Sequence, residues 1–556
     1  MRNIRKGAGI TATAITVAMI AAACGSGNAE GGNAGTPEAG TIPESGRVGA
    51  MENFEVGTRF QATQDITLDM LYRVHPNYPV DQFINTPGNI FDRFADMGVT
   101  MDREDVLFAD WDQRRSMLVA SGDFPTFVPV VWGGQESAWW TGGAILPISD
   151  YTQYMPNFTH FAEAWGTQAE IDTTRQEDGK FYNLRGMREM PNIEQSFAIN
   201  VDLFEAAGAP TEFKTFDEFA AALKQVQEHG DVEFAYSPRW NTQASGPIGA
   251  AMQIAAPNFG TSGGWNREVA IFDQDKGEFV PRIAQDGYKE LVQWFADLHA
   301  AGALDSEITQ EDDAAVAKFI NSRSAVIETN PGELDGALRR GASDLGIDLN
   351  IKMITVPGGP AGDHITGGQL GPGFVLNSSI KDSPYFLATL QFLDWLYFSE
   401  DGLQFSLWGV EGETFQTGAD GFPVLADSLG GASANATEVL QQQFGFRDGV
   451  WMQNWGGSNH LLQSGMTPEV REWHTAMSEL KTPLPVNPAA PMTETESEQA
   501  NLVMEATQSA TEAGVANFVL GNRPMSQWDA FVQEILSGGA QQITDLMNTA
   551  YQRAQG

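Results

Sequence analysis

Val106-Leu-Phe-Ala-Asp-Trp-Asp-Gln-Arg-Arg-Ser-Met-Leu-Val-Ala-Ser-Gly-Asp-Phe-Pro-Thr-Phe-Val-Pro-Val-Val-Trp132 carries a strand, a helix and a further strand in one run. Residues 106–109 predict a short strand, 112–120 a helix and 126–131 an almost wholly apolar strand. The same alternation extends upstream. Residues 66–72 read as the first strand, and Ile90, Phe91, Phe94 and Met97 follow at helical spacing, with Gly98 placed to end that helix. Short β-rich runs alternating with amphipathic helices predict an α/β chain with parallel sheet. In open sheets of this kind ligands sit beyond the carboxyl ends of strands, which points to residues 72–78, 110–112 and 132–140.

Further along, Thr215 and Glu218 form a capping box ahead of Phe216, Phe219, Leu223 and Val226, which share one helix face closed by Gly230. Residues 234–236 read as a strand emerging into Ser237-Pro-Arg-Trp240, and 271–280 as a hairpin with a polar turn. A strongly apolar helix is expected over 385–398, and two amphipathic helices close the chain. No internal repeat is evident.

Composition narrows the function. The 556 residues hold 32 Lys and Arg against 72 Asp and Glu, a formal charge of −40, which excludes a nucleic acid as the natural partner. Thirty-three Phe and 14 Trp supply core material for more than one lobe. Arg2, Arg5 and Lys6 precede a short apolar run ending at Cys24, the only cysteine, as in a secretory signal; no stretch is long enough for a transmembrane helix. Ala21-Ala-Ala-Cys24 resembles a bacterial lipobox, which implies that Cys24 is lipidated and that residues 1–23 are removed. Residues 24–58, rich in Gly, Ser, Asn, Pro, Ala and Glu, read as a flexible tether.

A set of segments in fixed order then resembles one family. They are Trp111-Asp-Gln-Arg-Arg-Ser-Met-Leu-Val-Ala-Ser-Gly-Asp-Phe-Pro125, Gly142-Gly-Ala-Ile-Leu-Pro-Ile-Ser-Asp150, Asp178-Gly-Lys-Phe-Tyr-Asn-Leu184 and Phe197-Ala-Ile-Asn-Val-Asp-Leu-Phe204 with Phe216-Asp-Glu-Phe219. Trp408-Gly-Val-Glu-Gly-Glu-Thr-Phe415 and Gly521-Asn-Arg-Pro-Met-Ser-Gln-Trp-Asp529 complete the set. From Thr67 to Arg553 the chain resembles the family 1 extracellular solute-binding proteins of ABC importers, especially the long lipoproteins assigned to oligosaccharides. The resemblance implies a two-lobed, type II periplasmic-binding-protein-like α/β fold that closes about a hinge and hands its solute to a membrane permease. It places lobe 1 at 59–185 and 325–380 and lobe 2 at 186–324 and 381–556, with crossings near 183–186, 324–326 and 377–381. It also implies a monomer outside the cytoplasmic membrane, held there by lipid alone.

A sugar offers apolar faces for stacking and hydroxyls for directional hydrogen bonds, so aromatic residues beside amides and carboxylates are the candidates. The resemblance directs them to Trp132, Gln135, Glu136 and Trp139 after the third strand, to Tyr236 and Trp240 in the second lobe, and to Asn330 in the return segment. Tyr72 and His75 follow the first strand, and Trp408 and Trp451 lie near predicted loops. Trp294, Trp395 and Trp528 lie on apolar helix faces and read as packing residues.

No metal or other cofactor is expected. Gly230-Asp-Val-Glu233 lacks the oxygens of a calcium loop, and Asp273-Gln-Asp-Lys-Gly-Glu278 carries its glycine at position five rather than six. No catalytic residue is assigned. A secreted glycoside hydrolase is the rival class, with Glu411 and Glu413 as its only local carboxylate pair, and Gly260-Thr-Ser-Gly-Gly264 matches a nucleophile-elbow pattern without the flanking strand and helix. The same fold binding a peptide or a cationic solute is the third alternative; an anionic ligand would require Arg185, Arg188 and Arg239 to converge.

Overall fold

The computed structural model describes residues 40–191, 193–241, 246–265, 267–451 and 456–555. Cys24, residues 1–23 and the first part of the expected tether lie outside the described residues.

From Gly40 the chain is packed. Ile42 is buried in the first core, the Val48 N–H donates to the Pro384 carbonyl, and the Met51 N–H donates to Gln391 Oε1. The part of the expected tether from residue 40 to 58 is therefore corrected to part of the folded body, because apolar Ile42, Met51 and Phe54 sit among its small polar residues and find the helix of 386–398.

The chain then lays down β1 (Ile66–Val74), β2 (Val99–Leu107), β3 (Phe127–Val131) and β4 (Leu184–Met187), and crosses to a second layer holding β5 (Ser196–Asn200) and β6 (Phe234–Tyr236). A hairpin of β7 (Ala270–Asp273) and β8 (Glu278–Pro281) follows, then β9 (Ser324–Thr329), β10 (Ile351–Met353) and the short β11 (His364–Ile365), before the chain returns to β12 (Leu370–Leu376). The first sheet has the order β2-β1-β3-β12-β4 and the second β10-β5-β9-β6. Both are mixed. β1 runs parallel to β2 and β3 while β12 is antiparallel to β3 and β4, and β9 is parallel to β6 but antiparallel to β5. Parallel sheet was the expectation, which β1, β2 and β3 and the pair β6–β9 meet; the returning strands β5 and β12 add the antiparallel pairs.

β2 begins seven residues earlier than expected, at Val99, and Phe108–Asp110 is a turn of 3₁₀ helix. As the edge strand it tolerates the charged run Asp102-Arg-Glu-Asp105, which hid its alternation.

Each sheet organises its own core. The first packs β1, β3, β4 and β12 with the helix Phe386–Phe398 and the segments up to Leu461. The second packs β5, β6, β9 and β10 with the helices Phe216–His229 and Asp286–Ala300 and with residues from Val470 to Ala540. The lobe boundaries are thereby corrected: β9 belongs to the second sheet, and 381–461 to the first lobe. Sequence reading missed this because Phe386–Phe398 is apolar all round and carries no sign of which sheet it covers; every one of its residues is buried.

The chain passes between lobes at 188–195, 366–369 and 462–467. The first two passages are stitched together, and Gly457, a few residues ahead of the third, joins them. Gly457 N–H donates to Met187 O at 2.8 Å, Arg188 N–H to Gln369 O at 2.9 Å, and Gln369 Nε2 to the carbonyls of Trp165, Arg188 and Glu189 at 3.0–3.2 Å. The Glu170 carboxylate accepts from the N–H groups of Gln369 and Leu370, fixing the start of β12.

Candidate ligand cleft

A cleft of about 1170 Å³ opens between the lobes. From the first come Trp132 beyond β3, Glu170 and Thr173, and Arg185 on β4; from the second come Trp240 beyond β6, Asn330 beyond β9, Gln253, Ser262, Trp265 and Glu268. The passages between lobes contribute Arg188, Glu194 and 366–368. Aromatic platforms therefore project from strand ends of both lobes, where an open α/β sheet places its ligands.

Trp132 is 42 % exposed and sits on a turn whose geometry is set by Gln135: the Trp132 N–H donates to Gln135 Oε1 at 2.9 Å and the Gln135 N–H to Trp132 O at 3.2 Å. A Cβ on Gly133 would lie 2.2 Å from Arg185 Nη1, so the glycine is what lets this guanidinium pass beneath the turn. Arg185 donates to the carbonyls of Gly371 and Leu370. Glu136 lies buried behind the turn beside Asn183, whose amide also holds Val131 O; burial pushes the Glu136 carboxyl up, opposed by the backbone and by Arg185.

Across the cleft, the rings of Trp240 and Trp265 are 5.8 Å apart and tilted. Behind Trp240 the Arg239 guanidinium stacks 4.3 Å from the ring centroid; it donates to Asp312 at 2.8 and 2.9 Å and to Glu333 at 3.0 Å. Glu333 is positioned by Asn330, whose side chain accepts its N–H at 2.9 Å. Below, the Glu328 carboxylate accepts from the Tyr236 hydroxyl and from the Arg239 N–H, the latter at 2.9 Å. Burial pushes Glu328 up to about 7 against these hydrogen bonds. The wall also holds Ser262 and Glu268; burial pushes the Glu268 carboxyl up, opposed by the Ser262 hydroxyl and by Arg282.

Of the residues singled out from sequence, Trp132, Trp240 and Asn330 line this cleft, and Gln135 shapes its turn. The others are corrected. Tyr72 is core, donating to Asp448 Oδ2 at 2.6 Å, and Trp451 packs against Tyr72, Phe91 and Phe94. Trp408 is buried with its indole N–H on Ser464 Oγ, Trp139 is buried beside Arg115, and Glu136 and Tyr236 support the site from behind. His75 stacks on Tyr78 and does not line the cleft. All of these share the residue types of a sugar site, but Tyr72 and Tyr236 face inward from their strands, Trp408 and Trp451 pack inward from a helix and a 3₁₀ turn, Glu136 and Trp139 fold back under the turn after β3, and His75 stays on the loop after β1.

Arg185 and Arg188, named from sequence only for the case of an anionic ligand, line the cleft while Arg239 does not; Gln253 and Glu268 were missed, and the Gly260–Gly264 segment was read as a mere flexible loop although Ser262 and Gly263 line the cleft. A tryptophan directly after that glycine-rich run was the available signal. Glu411 and Glu413 are exposed and lie elsewhere, Glu413 paired with Arg93 and Glu411 accepting from Thr417. No histidine lines the cleft, and among the described residues no group of three or more His, Cys, Asp or Glu is arranged to hold a metal ion.

No family model and no curated protein matches the chain. Solved structures do match it along nearly its whole length. An extracellular solute-binding protein from Bifidobacterium longum subsp. infantis aligns over 89 % of this chain and 99 % of its own, with a TM-score of 0.65 at 16 % identity. The Streptococcus pneumoniae ABC-transporter substrate-binding protein FusA, in complex with kestose, aligns over 88 % and 99 % with a TM-score of 0.61 at 18 % identity. The alginate-binding protein AlgQ2 aligns over 90 % and 100 % with a TM-score of 0.61 at 18 % identity. The fold is that of the two-lobed extracellular solute-binding proteins of ABC transporters.

Proposed function

We propose that the protein is the extracytoplasmic substrate-binding component of an ABC importer, which captures an oligosaccharide between its lobes and delivers it to a membrane permease. The observation that carries this reading is the pairing of Trp132 on one lobe with Trp240 and Trp265 on the other across about 1170 Å³ of mixed polar and apolar wall. Single drug-sized ligands fill roughly 300–1,000 Å³, so this space suits several sugar rings. Amides and carboxylates between the tryptophans supply partners for hydroxyl groups. Export, lipidation of Cys24 and a monomeric state belong to the same proposal, and no helix among the described residues is long and apolar enough to cross a membrane.

A thermal-shift screen of residues 40–556 against neutral and acidic oligosaccharides, peptides and polyamines, with product analysis of each hit, tests it. A ligand at 100 times its Kd adds about 2.7 kcal/mol and raises the midpoint visibly. A shift with one glycan class and no cleavage is expected. Turnover, or a response confined to peptides or amines, would overturn it.

A further inference from the structure

Two of the three cleft tryptophans, Trp132 and Trp240, rest on the same construction. Among the described residues only five non-glycine residues have positive φ, and two of them are Val130, at 57°, and Trp240, at 56°. A branched side chain in that region is a true outlier, and such conformations persist only where the surroundings over-determine them. Beside each lies an arginine that is only 1 % exposed. Arg115 donates through Nη1 to the Val130 carbonyl and through Nη2 to Asp112 at 2.7 Å, with its guanidinium 5.6 Å from the rings of both Trp111 and Trp139. Arg239 stacks under Trp240 itself, gripped by Asp312 and Glu333, while Glu328 holds its backbone N–H.

Burying a guanidinium is costly unless it is paired. Arg115 packs against the core rings of Trp111 and Trp139, and each arginine also holds a strained segment that leads to a cleft tryptophan. A ring held in place before the ligand arrives loses less freedom on binding.

We infer that Arg115 and Arg239 are positioning residues, one in each lobe, that lock the strained backbone at Val130 in β3 and at Trp240 in the loop after β6, so that Trp132 and Trp240 stand preorganised across the cleft. The brace is a property of the ligand-free protein; only its effect on affinity rests on the carbohydrate reading.

Hydrogen exchange of the ligand-free protein followed by mass spectrometry tests it in R115M, R115K, R239M and R239K. Each Met variant is expected to speed exchange about 10-fold or more in its own segment, 127–135 or 234–241, while the other lobe's segment keeps its wild-type rate. The Lys variants are expected to restore part of the protection. The double variant D312N/E333Q leaves Arg239 in place but ungripped, and it is expected to act like R239M even if R239M fails to fold. Unchanged exchange in a folded variant, or an equal loss in both lobes, would overturn the inference. Calorimetry with maltotriose, 1-kestose and chitotriose forms a separate arm. Any of these that binds wild type should bind R239M at least about 10-fold more weakly, and equal affinity would also count against the brace. If none binds wild type, the carbohydrate reading fails while the exchange rates still decide the brace.

Discussion

At the scale of single residues, exposure separates tryptophans that can meet a ligand from those that build the protein. Trp132 and Trp240 line the cleft, whereas Trp451 and Trp408 are enclosed. W132A and W240A are expected to weaken binding of the ligand, an oligosaccharide on the proposed reading, by about 2 kcal/mol each, the scale of a buried aromatic anchor, with little change in melting temperature. W451A should do the reverse, costing roughly 3–5 kcal/mol of stability as a large core deletion while leaving the affinity of the folded fraction intact. Calorimetry and urea titration of the three variants distinguish the two behaviours. The sequence marks where strands end, and so placed Trp132, Trp240 and Asn330 beside a cleft. It could not tell them from Tyr72, Trp139 or Tyr236, because the composition of a sugar platform and of an aromatic core is the same; only the direction in which the strand or turn presents each side chain differs.

Elements were more legible than their assembly. The helix of 216–229 appears with Thr215 accepting the Glu218 N–H, although Glu218 reaches back to the Lys214 N–H rather than to that of Thr215. The hairpin β7–β8 and the strands β1, β3 and β6 also fall where periodicity put them. What local pattern could not supply was which lobe receives an element after a crossing, since the passages at 366–369 and 462–467 carry ordinary loop sequence. Gln369 shows how much such a passage can hold: its side-chain amide reaches three carbonyls on two separate segments. Q369A leaves those acceptors without this donor and is expected to cost about 1–3 kcal/mol. Small-angle scattering of the ligand-free variant should report a wider spread of lobe separations than in wild type, and an unchanged profile with unchanged stability would refute this role for the side chain.

For the whole molecule, acidity and burial act in the same direction. Burial pushes Glu328 and Asp394 up to about 7, the latter despite accepting from Asn157 N, Asn157 Nδ2 and Phe158 N at the start of the helix Pro156–Ala164. A carboxyl with a raised folded pKa binds more protons folded than unfolded, so its contribution is complete below about pH 4 and is lost as the pH climbs through about 7. Each contributes at most about 4 kcal/mol. Carboxylates held low, such as Asp305 beside Lys318, surrender theirs only below this window. Relief of the mutual repulsion within a chain of charge −40 adds to the gain. Urea midpoints should therefore rise between pH 8 and pH 5, and D394N should flatten that rise; a fall over the same range would contradict the assignment.

The threefold passage between lobes also sets the order in which the molecule can be finished during synthesis. The first core is not complete until Leu461 has been added, long after β4, and the second needs residues as late as Ala540. At about 5–20 residues per second the first lobe waits roughly 15 to 55 s for its missing half. Through most of translation the ribosome therefore carries both of these large cores unfinished, a polypeptide still loose enough to be threaded through a narrow channel.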